Sequence, residues 1–96
     1  MPSAYILANV TVTNPEQYEE YKKLSSIAMK AHGAEVCVRG GQVEVLEGDW
    51  SPSRLVILKF PSVAAAKAFN DSVEYDAARK ARQGAAVMRM IVVEGV

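Results

Sequence analysis

Ala4-Tyr5-Ile6-Leu7-Ala8-Asn9-Val10-Thr11-Val12, running directly into Thr13-Asn14-Pro15, decides the fold. It is rich in β-formers and stops at a turn-prone triplet, so it reads as a strand. Its even positions, Ile6, Ala8, Val10 and Val12, are all apolar, whereas its odd ones, Tyr5, Leu7, Asn9 and Thr11, are mixed. Strand side chains alternate between faces, so a sheet built on this segment has one purely apolar side and one mixed side. The same split recurs twice. Val56, Leu58 and Phe60 oppose Leu55, Ile57 and Lys59, and Met88, Met90 and Val92 oppose Arg89, Ile91 and Val93.

After the first strand, Asn14 suits an N-cap, Pro15 suits the first helical turn, and Gln17 follows three residues on, as in a capping box. Tyr18, Tyr21, Leu24, Ala28 and Ala31 recur at helical steps until Gly33 closes the segment. Ala34 to Asp49 is again β-like but broken by Gly40-Gly41. The valines are even-numbered before the glycines (Val36, Val38) and odd-numbered after them (Val43, Val45). This parity change predicts a glycine bulge in one long bent strand, with a tight hairpin at the glycines as the alternative. A loop over Gly48-Asp49-Trp50-Ser51-Pro52-Ser53 leads to a strand from Arg54 to Phe60. Ser62 can cap a helix through Asn70, Asp71 or Ser72 another that runs towards Gly84, and Ala86 to Glu94 is the last strand.

That order of elements in 96 residues predicts one domain over residues 1–96. Its fold class is α+β: a ferredoxin-like βαββαβ sandwich, an antiparallel sheet with its helices on one face. The pure faces then lie beneath the helices. The mixed side, with Tyr5, Leu7, Leu46, Leu55, Ile57, Ile91 and Val93, is too apolar to stay in water. Covering ~600 Å² of it would contribute on the order of 15 kcal/mol before association entropy is subtracted. A second copy is the expected cover, making a homodimer, with Asn9 and Arg39 among the polar side chains lining the space the packing leaves unfilled.

Composition excludes several other classes. Eleven basic and eleven acidic side chains cancel, which argues against nucleic acid as a partner. One cysteine and one histidine make a multi-ligand metal site improbable, and no cofactor is expected from the motifs present. Phosphate-loop, dinucleotide, serine-elbow and zinc-helix signatures are all missing. No apolar run approaches the length of a membrane span, no secretory leader is visible, and the lone thiol suits a reducing compartment; a cytoplasmic location is expected.

Asn14-Pro15 with Tyr18 and Tyr21, His32-Gly33, Val38-Arg39-Gly40-Gly41, Glu47-Gly48-Asp49-Trp50, Phe60-Pro61-Ser62 and Ser72-Val73-Glu74-Tyr75 together resemble the bacterial domain-of-unknown-function family 1330. The resemblance covers nearly the whole chain, and Arg-Gly-Gly and Glu-Gly-Asp-Trp are its most specific pieces. It implies the dimeric α+β barrel superfamily, in which two ferredoxin-like subunits pack sheet to sheet and whose members include cofactor-free monooxygenases and isomerases. Phe69-Asn70 and Val73 stand where that family commonly has Trp-Tyr and proline.

The candidate ligand-binding residues are Asn9, His32, Arg39, Phe69 and Tyr75, lining a mostly apolar cleft between the sheet and the partner subunit. His32 and Arg39 are the catalytic candidates: His32 as the one side chain that titrates near neutrality, Arg39 as a clamp for a carboxylate or enolate oxygen. Each has a plainer reading. His32 can simply close the first helix, Arg39 can pair with Glu44, Glu47 or a partner carboxylate, Arg79 and Arg82 can complement a helix dipole rather than hold an anion, Cys37 can be an inert thiol, and Trp50 can pack over a loop or subunit boundary. If catalytic, the protein would be a cofactor-independent oxygenase or isomerase of an enolisable substrate; the alternative is a non-catalytic ligand-binding or structural dimerisation module.

Overall fold

Helix α1 (Pro15–Ala31) starts where the sequence says it should. The Asn14 side chain accepts from the Gln17 backbone N–H at 3.2 Å, and Pro15 opens the first turn. Gln17 does more than complete a local cap. Its Nε2 donates to the Ala81 and Gln83 carbonyls at 3.0 and 2.7 Å, tying the start of α1 to the chain that follows the third helix. At its other end the His32 backbone N–H donates to Ala28, and Gly33, with φ of +67°, turns the chain out of the helix.

In this computed structural model, residues 2–96 are described. The remaining elements are β1 (Ala4–Val12), β2 (Glu35–Arg39), β3 (Leu55–Phe60), α2 (Val63–Asn70), α3 (Val73–Ala81) and β4 (Ala86–Glu94). Ser62 and Ser72 cap α2 and α3, accepting from Ala65 and Tyr75. The four strands form one antiparallel sheet in the order β2-β3-β1-β4, with the helices on one side: a ferredoxin-like α+β sandwich. Ile6, Ala8 and Val10 align with Val92, Met90 and Met88 on β4, and Ile6 and Ala8 with Leu58 and Val56 on β3. These pure faces lie under the helices. They pack with Tyr18, Tyr21, Ala28, Phe69, Tyr75 and Ala78 into one core. The molecule measures 36 × 36 × 16 Å, the thickness of one helix layer on one sheet.

The second strand departs from the sequence reading. It ends at Arg39 rather than bending onward to Asp49, and neither the glycine bulge nor the hairpin forms at Gly40-Gly41. The extra residue is absorbed earlier, at Cys37: Val36 aligns with Leu58 and Val38 with Ile57, so the two valines face opposite sides. This flip carries Arg39 into alignment with Val56, onto the helix side, not the mixed side where unbroken alternation would put it. Gly40 (φ +68°) then turns the chain into a long connection without helix or strand. Leu46 is almost wholly exposed there and is no part of the sheet face, and Trp50 is also exposed.

Candidate functional site

The alternation of β1, β3 and β4 aims small and flexible side chains, Ala8, Val56, Met88 and Met90, up towards α1, while α1 returns Tyr18, Tyr21, Ser25 and Met29. Small residues below and large ones above do not close completely. A cavity is left between helix and sheet with about 60 Å³ open to the centre of a water-sized molecule. That is room for roughly four waters or one small organic group. Phe69 and Tyr75 wall its inner end, and Arg39, Arg54, Lys22 and Ser26 stand where it opens.

The inner wall is aromatic. Tyr21 and Tyr75 meet edge-on at 6.2 Å between ring centres, Tyr75 and Phe69 at 4.8 Å, and Phe69 and Phe60 at 5.2 Å. The Tyr21 and Tyr75 hydroxyls share a buried hydrogen bond of 2.7 Å, and the Tyr75 hydroxyl also points at Met88 Sδ, 3.8 Å away. Burial, reinforced by the Tyr75 hydroxyl, pushes the Tyr21 pKa far above its ordinary value. Tyr18 is raised too, by burial, with the positive charge of Arg54 working against the shift. Both stay neutral hydrogen-bond donors through the physiological range.

The mouth is cationic. Arg54 opens towards β3 with its guanidinium laid against the Gly40 backbone: a methyl group on Gly40 would come within 2.7 Å of Arg54 Cζ. Arg54 Nε is buried without a hydrogen-bond partner. Arg39 donates to Met29 Sδ at 3.5 Å from the other side of the same connection.

Of the five residues singled out in the sequence, Arg39, Phe69 and Tyr75 come together here. Asn9 does not: it lies on the helix-free side, aligned with Leu55 and Arg89, its Oδ1 buried and unpartnered. Nor does His32. Its Nε2 is 3.1 Å from Glu74 Oε1, an exposed contact that lowers the Glu74 pKa, and it touches the lining residue Phe69 edge-on at 6.2 Å. The cavity therefore sits on the helix side of the sheet, whereas the sequence reading put the cleft on the mixed side, against a partner. The bulge at Cys37, which turns Arg39 through the sheet, is what brings that residue to the helix side.

Sequence reasoning missed Tyr18, Tyr21, Arg54 and the three methionines. The tyrosines satisfied the helical pattern as core residues, and Arg54 looked like the polar start of a strand. One signal was available: three hydroxyl-bearing aromatics in a core are unusual without polar work to do. Outside the cavity, Arg79 stacks over Tyr75 at 4.9 Å and donates to both Asn70 oxygens at 2.9 and 3.0 Å, so it is occupied within the chain. Cys37 is exposed, with Sγ 3.8 Å from the Glu35 carbonyl. Among the described residues no cluster of metal-ligating side chains occurs, and no helix is long and apolar enough to cross a membrane.

A family model described as a domain of unknown function, DUF1330, matches residues 3–96. Among solved structures, a protein of unknown function from Rhodopseudomonas palustris is 26% identical, with a TM-score of 0.76 over 99% of this chain and 83% of that one. SnoaB, a cofactor-independent oxygenase from Streptomyces nogalater, is 11% identical with a TM-score of 0.66, covering 97% and 92%. A dabb family protein with a ferredoxin-like fold from Mesorhizobium loti is 17% identical with a TM-score of 0.56, covering 100% and 97%. The last two likenesses speak for the fold alone. No curated protein matches the chain.

Proposed function

We propose for this chain, which belongs to the DUF1330 family, that it is a homodimer whose subunits each bind a small organic molecule in the cavity beneath α1. The observation that carries this reading is the cavity itself: an apolar chamber whose inner wall carries a hydrogen-bonded Tyr21–Tyr75 hydroxyl pair and whose mouth carries two arginines. Apolar walls with a few converging polar groups are the ordinary make-up of a small-molecule site.

The chemistry such a site suits is stabilisation of an oxyanion. A substrate that loses a proton next to a carbonyl leaves an enolate, whose oxygen either the neutral tyrosine hydroxyls of the inner wall or the arginine donors at the mouth would hold. Reprotonation at another carbon makes an isomerase; passing electrons to dioxygen makes a cofactor-independent oxygenase, the activity carried by SnoaB on the same fold. A specific observation favours the second reading, binding without turnover: no histidine or carboxylate lines the cavity. Catalysis here would require a substrate acidic enough to ionise without a protein base.

Two features support the homodimer. The chain exposes 6280 Å², against roughly 5,400 Å² for a compact monomer of its mass, an excess close to one partner's share of a standard interface. The helix-free side also carries half-buried Leu7, Leu55 and Ile57 beside exposed Ile91 and Val93, with the unpartnered Asn9 Oδ1 among them. Native mass spectrometry of freshly purified protein is the test. A dimer retaining a small organic molecule is expected, and a monomer with nothing bound would count against both parts of the proposal.

A further inference from the structure

We infer that the ligand is an amphipathic anion: a small apolar body, seated under α1, bearing one carboxylate or equivalent oxyanion that Arg39 and Arg54 clamp at the cavity mouth. The inference rests on the cavity being a ligand site and adds the class of molecule it takes.

The argument begins with charge. Ion pairs in the described residues join Lys22 to Glu19, His32 to Glu74, and Asp76 to Arg79 and Lys80. Neither Arg39 nor Arg54 has a carboxylate within 4 Å among those residues, although the chain carries equal numbers of acidic and basic side chains. The two are nonetheless held at one place. Arg39 ends β2 and is turned to the helix side by the bulge at Cys37, and Arg54 precedes β3. The Gly40 N–H donates to the Leu55 carbonyl at 2.9 Å, so the strand ends that carry them are joined by a backbone hydrogen bond.

Position supplies the second half. Arg54 is partly withdrawn from water, with its Nε buried and unsatisfied, which is costly for a charged group unless something completes its hydrogen bonds. Gly40 leaves room for this: a side chain there would collide with the guanidinium. Arg39 makes only a weak contact with the Met29 sulfur and has donors to spare. Both side chains line the apolar cavity and the open vestibule outside it, where Lys23 adds further positive charge and Lys22 is paired with Glu19. Two forked donors at the rim of an apolar chamber match a planar oxyanion with a hydrocarbon body behind it. The size of the chamber limits that body to about one ring.

Benzoate and its uncharged isostere benzamide separate this class from the cavity reading beneath it. With 13C-methyl-labelled methionine in the intact chain, benzoate should shift the Met29, Met88 and Met90 resonances and bind at least about tenfold tighter than benzamide. That preference should weaken with added salt and disappear in Arg39→Gln, an exposed position whose replacement leaves the core untouched, and in Arg54→Gln if it folds. Equal binding of the two probes would overturn the anion class and leave the cavity standing. No methionine shift with either would overturn the cavity as well. Acetate binding as tightly as benzoate would show that no apolar body is read and would also defeat the inference.

Discussion

Tyr21 and Tyr75 are each buried, and each supplies the other's hydroxyl with a partner at 2.7 Å. Removing the Tyr21 hydroxyl leaves that of Tyr75 only its long contact with Met88 Sδ, so Tyr21→Phe should cost about 1–3 kcal/mol in denaturant unfolding. The double replacement with Tyr75→Phe should cost less than the two single changes added together, and a double-mutant cycle with no coupling would show the bond to be energetically idle. The raised Tyr21 pKa has a consequence at high pH. In the unfolded chain this phenol ionises near its ordinary value of 10.0, while in the folded chain it stays protonated. The folded state therefore holds the extra proton, and stability is full below that pH and falls as pH rises above it. Thermal midpoints measured between pH 8 and 11 should decline less steeply in Tyr21→Phe than in the parent chain. Gly40→Ala tests the neighbouring feature. A left-handed backbone angle and a displaced Arg54 together should cost about 1–2 kcal/mol, read as a lower midpoint, and should erase any preference for benzoate.

The elements themselves were legible because local chemistry and packing agree along most of the chain. Asn14, Ser62 and Ser72 all cap helices, and the β4 bounds match the apolar alternation. Losing the Asn14 side chain should cost about 1 kcal/mol, and Gln17→Ala should add to this by releasing the carbonyls of Ala81 and Gln83; unchanged unfolding midpoints in both would show that the start of α1 is held by packing alone. What could not be read was β2. Val36 and Val38 share a parity, and strand periodicity puts them on one face; the bulge at Cys37 breaks that rule, and no glycine or proline marks the place. A bulge can be absorbed at any residue whose side chain has no task in the core, and exposed Cys37 is such a residue. The site was half legible for the same reason. Phe69 and Tyr75 were among the residues named, whereas Arg54 required knowing that the β2 and β3 ends meet. The Glu74–His32 contact between α3 and the end of α1 also has a sign. Glu74 is lowered mainly by the His32 hydrogen bond, so its contribution is present above the ordinary carboxylate pKa and lost as pH falls through the lowered value. Glu74→Gln should flatten that part of the acid limb slightly, the contact being exposed.

At the scale of the whole molecule, a slab one helix and one sheet thick leaves an apolar layer with a single covered side. Ile91 is the position to probe, since it aligns with Leu7 at the middle of the helix-free face and is already exposed in a single chain. Ile91→Glu should leave the helical signal and the cavity intact while halving the mass seen by sedimentation velocity. A parent chain that already sediments as a monomer would remove the homodimer.

The stretch from Gly41 to Ser53 joins two arginines whose positions it does not itself set. Its stems are cross-linked at Gly40 and Leu55, and Val10 holds the carbonyl of Arg54 at 2.8 Å. The connection behaves as a tether clipped at its base, so trimming, nicking or replacing its tip should spare the rim beneath. A tag or reporter grafted into this tether should leave what the chamber accepts unchanged.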